Sequence, residues 1–140
     1  PASNKYLAAV RTVMASLATA ASALPDSRID DLRFAVTEAC ANAIDAERRK
    51  PAAARVPIHL RLEIDDEGVA VEVHDEGGGF DPDALVGHPP ANQPEGLSYE
   101  RGLGIPLIHI LTDEVEFRPS PDGTLVRMVL NALSNPIPPD

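Results

Sequence analysis

Val56, Ile58, Leu60, Leu62 and Ile64 alternate strictly with Pro57, His59, Arg61 and Glu63. A period of two puts the apolar side chains on one face of a strand and the polar ones on the other. Such a strand belongs to a sheet with one face covered and one face in water. Asp65-Asp66-Glu67-Gly68 reads as a turn. Val69, Val71 and Val73 continue the alternation as the returning strand of a hairpin. Whatever this chain folds into must supply a second layer for that apolar face.

The residues ahead of the hairpin supply it. From Lys5, the residues Leu7, Val10, Met14, Leu17 and Ala21 recur at steps of three and four, one stripe of an amphipathic helix. Pro25-Asp26-Ser27 breaks it and offers caps for a second helix, from about Arg28 to Arg48. Leu32, Ala35, Val36, Ala39, Ala43 and Ile44 form its broad apolar side, and Lys50-Pro51 closes it.

From Phe80 to about Glu100 the chain has no periodicity and holds Pro82, Gly87, Pro89, Pro90, Pro94 and Gly96. A loop of that length in a small domain reads as a lid, over about 81–100. Gly104 to Leu111 reads as a short helix that tolerates Pro106 in its first turn. Val115 and Phe117 mark a strand, Ser120-Pro121-Asp122-Gly123 a turn, and Thr124 to Leu130 a last strand. The order predicts an α/β (α+β) two-layer sandwich, with a mixed, mostly antiparallel sheet and helices on one face. One domain is expected over 1–133, followed by a loose tail over 134–140.

A length of 140 residues fits one domain. The net charge of -10 argues against a nucleic-acid binder, which needs a basic face. An acidic chain suits protein partners or small ligands. With no Trp and few aromatics, the core must come from Leu, Ile, Val and Ala. The single cysteine, Cys40, lies among alanines in an apolar helical run and reads as a buried structural thiol. One unpaired cysteine fits a reducing cytoplasm. No signal peptide, lipidation motif or membrane-length apolar run is visible, so no membrane partner is expected. Pro1 is not a natural start, and the chain reads as an excised or trimmed domain.

Three short segments carry candidate chemistry. In Glu38-Ala39-Cys40-Ala41-Asn42, the Glu and the Asn are one helical turn apart and project to the same place. Mg²⁺ takes one or two protein oxygens and completes its shell with phosphates and water. An Asn oxygen offers one such ligand without adding charge beside a triphosphate. A carboxylate one turn away can orient or deprotonate a hydroxyl or a water. In Asp75-Glu76-Gly77-Gly78-Gly79, a carboxylate at a strand end can accept from an amino group such as that of adenine. The glycines let backbone approach a flat ring. In Arg101-Gly102-Leu103-Gly104, glycines before a helix leave N–H groups aimed at an anion, and Arg101 can reach phosphate oxygens. This is neither the P-loop nor the dinucleotide-binding fingerprint. Taken singly, each segment also reads as ordinary surface or turn chemistry; the conjunction points to a nucleotide site.

In that conjunction the chain resembles the Bergerat-fold (GHKL) ATPases. Glu38-x-x-x-Asn42 matches their N box, Asp75-x-Gly77-x-Gly79 their G1 box and Gly102-x-Gly104 their G2 box. Within them it is similar to the bacterial anti-sigma factor serine-protein kinases of the RsbW and SpoIIAB type. The likeness is carried by Pro1-Ala2-Ser3, by the run from Asp30 to Cys40 and by Glu100 to Gly104, and it extends to about Asn131. It implies ATP and Mg²⁺ as cofactors, a sigma factor and a STAS-type anti-sigma antagonist as partners, and allows a homodimer. It implies Glu38 as catalytic base, Arg101 at the terminal phosphate and Asn42 as Mg²⁺ ligand. Asp75 would read adenine, Gly77 and Gly79 would shape its pocket, and Thr124 would lie near it. Gly102, Leu103 and Gly104 would hold the hinge and phosphates.

Two features depart from that pattern. A His often follows the Asn by four residues, and here Ala46 stands there. A strand that usually precedes the first helix is not fully included. Two other readings stay open: a nucleotide-binding module that sequesters a sigma factor without kinase activity, and the catalytic domain of a histidine kinase. His59, His74 and His88 lack metal-ligand spacing and read as solvated. Asp113, Glu114 and Glu116 read as surface charge around a strand start.

Overall fold

The computed structural model describes residues 3–17, 20, 24–77 and 104–132. The expected lid and tail lie outside the described residues, as do His88, Gly79, Arg101, Gly102 and Leu103.

Helix α1 spans Leu7–Leu17 and α2 spans Asp26–Arg48. Strands β1, His59–Asp65, and β2, Gly68–Asp75, form the hairpin. Helix α3, Gly104–Leu111, leads into a second hairpin of β3, Glu114–Ser120, and β4, Gly123–Asn131. Among the described residues the sheet has four strands in the order β1-β2-β4-β3, and every pairing is antiparallel.

The register explains the core. Ile64, Val69 and Leu130 stand side by side across the sheet. The next row is Leu62, Val71, Met128 and Val115, and the next Leu60, Val73, Val126 and Phe117. These residues share one face, and α2 lies over it with Leu32, Ala35, Val36, Ala39, Cys40 and Ala43 buried against it. Met14 of α1 joins the same cluster. Packing of this kind, rather than helix propensity, is what holds such helices in place. The opposite face carries charge in register: Arg61, Glu72, Arg127 and Glu116 pair across the four strands. Arg127 Nη1 donates to Glu72 Oε1 at 3.0 Å.

Two details depart from the sequence expectations. Strand β1 begins at His59 rather than Val56. Pro57 has no N–H to donate, and the Val56 N–H donates to the Glu47 carboxylate instead of a neighbouring strand. Asp113 is more than surface charge. Its carboxylate accepts Arg28 Nη2 at 2.6 Å and the Asn131 N–H at 2.8 Å, tying the start of α2 to the end of β4.

Candidate functional site

Helix α2 is the spine of the site. It starts after Pro25, whose carbonyl accepts the Arg28 N–H, and Asp26 puts a negative charge in its first turn, where the helix dipole favours one. Its buried stripe faces the sheet, which leaves Glu38 and Asn42 half-buried to one side. They are neighbours one turn apart, as the spacing predicts.

Helix α3 packs on α2 and brings Gly104 to this pair. A Cβ at position 104 would fall 2.9 Å from Glu38 Oε2 and 3.5 Å from Asn42 Nδ2. The first residue of α3 thus presses its bare backbone onto the Glu38–Asn42 turn, and Gly104 is itself buried.

Asp75 and Thr124 lie at the end of the sheet, on the helix-covered face. They stand opposite each other in the β2–β4 register, and both are buried. Asp75 Oδ1 accepts the Gly77 N–H at 2.8 Å. Burial raises the Asp75 carboxyl above its usual range, and the nearby Glu47 carboxylate pushes the same way. The Gly77 hydrogen bond, His74 and Arg49 offset part of this. Gly123, beside Thr124, lets β4 approach here: a Cβ there would collide with the Asp75 carbonyl oxygen.

One row of α2 joins the two groups. Glu38, Asn42 and Ala46 follow at steps of four, spanning roughly 12 Å of helix axis. Ala46 is buried against the turn after β2, and a Cβ at Gly77 would fall 2.5 Å from the Ala46 methyl. The structure therefore brings together Glu38, Asn42 and Gly104 at one end of the row, and Ala46, Gly77, Asp75 and Thr124 at the other.

Sequence reasoning missed Glu47. Its side chain is fully buried. Oε1 accepts the Glu76 N–H at 3.1 Å and Oε2 the Val56 N–H at 3.0 Å, while Lys50 Nζ donates to Oε2 at 3.0 Å. Burial raises this carboxyl, but the bonds from Val56, Lys50 and Glu76 outweigh it and hold the group below its ordinary range. A signal was available: Glu47 lies three, four and seven residues after Ile44, Ala43 and Cys40, and so continues the buried stripe.

His59 and His74 pair with each other across β1 and β2, both exposed. Among the described residues no three His, Cys, Asp or Glu gather as a metal site, and no helix is long and apolar enough to cross a membrane. Cys40 is free and buried, as the sequence suggests.

Comparison with known proteins places the chain. The histidine kinase-like ATPase domain family matches residues 1–130. The serine-protein kinase RsbW of Staphylococcus epidermidis is 35% identical over 118 residues, covering 82% of this chain and 73% of that protein. The RsbW of Bacillus subtilis is 34% identical over 119 residues, covering 82% and 72%. The RsbW of Bacillus velezensis is 33% identical over 132 residues, covering 91% and 79%. With its sandwich and its row of candidate residues along α2, the chain belongs to the histidine kinase-like ATPase domain family, in the group of the RsbW serine-protein kinases.

Proposed function

We propose that this chain is an ATP-dependent serine-protein kinase that phosphorylates a STAS-type anti-sigma antagonist and, in its other state, sequesters a sigma factor. The observation that supports it best is the α2 row, with Glu38 and Asn42 against Gly104 at one end and Ala46 against the Asp75 turn at the other.

In this reading Asp75 accepts from the adenine amino group, with Thr124 beside it, Gly77 letting the turn close on Ala46 and Gly79 helping to shape the pocket. Asn42 suits Mg²⁺, because a single neutral oxygen leaves the rest of the shell to phosphates and water. Bound there, Mg²⁺ would neutralise phosphate charge. Gly104 opens α3, and the first N–H groups of a helix, which have no acceptor within it, suit phosphate oxygens. Gly102, Leu103 and Arg101 precede it in the chain, and Arg101 is assigned to the terminal phosphate.

Glu38 is assigned as the base. It accepts the proton of the substrate serine hydroxyl as the serine oxygen bonds to the terminal phosphorus and the bond to the leaving ADP oxygen breaks. Such transfer asks the protein mainly for positioning and charge neutralisation.

The test is transfer of labelled terminal phosphate from ATP to a STAS-type antagonist, compared with the same antagonist carrying Ala for its acceptor serine. Serine-dependent labelling, and sigma-factor capture in its absence, are expected. Capture of the sigma factor without any labelling would leave a sequestering module and sink the kinase assignment.

A further inference from the structure

Glu76 sits between Asp75 and Gly77, and both of its backbone polar groups are held by one ion pair. Its N–H donates to Glu47 Oε1 at 3.1 Å, and its carbonyl accepts Lys50 Nζ at 3.1 Å. The pair itself is closed, with Lys50 Nζ 3.0 Å from Glu47 Oε2. That same oxygen accepts the Val56 N–H, so the segment leading into β1 is fastened to the same point as the segment leaving β2. On the adjacent residue of α2, the Ala46 methyl packs against Gly77.

Core packing does not require this. Glu47 continues an apolar stripe, where a leucine or methionine would fill the space. A fully buried carboxylate carries a heavy desolvation cost unless donors satisfy both of its oxygens. Here both are satisfied, and two of the donors are backbone groups just outside β1 and β2. What the carboxylate adds over an apolar residue is a fixed position for the peptide that follows Asp75.

We propose that Glu47, with Lys50, is a positioning and specificity-determining residue that fixes the Asp75–Gly77 turn for adenine. This rests on the reading of Asp75 as the residue that accepts from the adenine amine. Fixing Glu76 fixes the exit of β2, and with it the Gly77 N–H that occupies Asp75 Oδ1. A loosened turn would let the Asp75 carboxylate rotate off the adenine amine, and the preference for adenine over guanine would shrink.

The test is calorimetric affinity for Mg–ADP and Mg–GDP in the parent, Glu47→Gln and Lys50→Met. In Glu47→Gln an NH₂ replaces one acceptor and faces a backbone N–H or Lys50, donor against donor. ADP affinity should fall about tenfold or more, with GDP affinity little changed. Lys50→Met frees the Glu76 carbonyl and removes the counter-charge of Glu47, but leaves the Val56 and Glu76 N–H donors on the carboxylate, and should give a smaller loss of the same sign. The Lys50 side chain is part-exposed, so this variant decides the matter if Glu47→Gln does not fold. Phosphate transfer at saturating ATP should stay near the parent rate while KM for ATP rises. A merely structural role predicts a lower melting temperature with the parent ADP-over-GDP ratio in whatever remains folded, and that outcome overturns the proposal. A parent protein that binds ADP and GDP equally overturns the reading of Asp75, and the present proposal with it.

Discussion

Gly104 meets Glu38 so closely that a Cβ at position 104 would fall 2.9 Å from Oε2. The obstacle is the end of a flexible side chain, not backbone. Adding a methyl there would move the carboxylate and leave the helix in place.

Gly104→Ala should therefore separate stability from activity. Alanine favours a helix over glycine by up to ~1 kcal/mol in its interior and by less at its first residue, which offsets part of the crowding, so the melting temperature should change little. Serine phosphorylation should fall by about tenfold or more, because small displacements of a reacting group are costly. Thermal melts paired with a transfer assay check this. Parent-rate transfer in a folded Gly104→Ala protein would show that the Glu38 carboxylate has no critical position.

Glu38→Gln keeps the shape of the side chain and loses its basicity. ATP binding should survive while transfer falls by ~10²–10⁴, the range of a lost general base. Asn42→Ala should differ, since losing the proposed Mg²⁺ ligand would weaken nucleotide binding as well as transfer. Calorimetry and transfer assays on both variants distinguish the roles. Identical behaviour of the two would remove the division of labour between them.

The layers were legible because their periods are strong. The valines at 69, 71 and 73 and the stripe of α2 each state which side is buried, and burial follows them. Glu38 and Asn42 were legible as neighbours for the same reason, since four residues make a helical turn. Glu47 was not. In sequence it opens a run of charges, Glu47-Arg48-Arg49-Lys50, which reads as a solvated helix end. Only the fold carries Val56 and Glu76, 9 and 29 residues away, to its two oxygens. Asp75 keeps the phase of Val69, Val71 and Val73, so its side of the sheet was legible, but its β4 neighbour Thr124, far along the chain, was placed beside it only by the fold.

Gly68 has φ +148°, and a Cβ there would collide with the Leu130 carbonyl oxygen. Both objections are to backbone, so relaxation is expensive. Gly68→Ala should destabilise the protein by at least about 2 kcal/mol, lowering the melting temperature by roughly 5–10 °C. Chemical and thermal denaturation measure it. A loss below about 0.5 kcal/mol, the size of an ordinary surface change, would contradict the tight β1–β2 turn.

Cys40 is 3% exposed, and burial pushes its thiol up to about 12. At pH 8 only roughly one molecule in ten thousand would carry the reactive thiolate. The native protein should resist a thiol-specific reagent that labels it at once in guanidinium. Rapid labelling of the native state would place Cys40 outside the core.

Asp75 and Glu47 are neighbouring carboxyls displaced in opposite directions, and acid should separate them. Asp75 lies above its ordinary 3.8, so it takes a proton at a higher pH than a typical aspartate. In the proposed reading protonation fills the acceptor offered to adenine, so ADP affinity should fall early on acidification. This costs the fold nothing: a carboxyl raised in the native state makes the native state bind protons better, and its contribution to stability grows as pH falls. Glu47 lies below its ordinary 4.5. Its contribution to stability is complete above that value and is lost only as pH falls through the lower native value. Nucleotide affinity should therefore decline first and the fold second. Calorimetry with ADP across falling pH, beside circular dichroism on the same samples, reads the two events. Asp75→Asn, which has no proton to gain, should bind ADP weakly with a flatter pH profile. ADP affinity that holds constant until the protein unfolds would remove the Asp75 carboxylate from nucleotide binding.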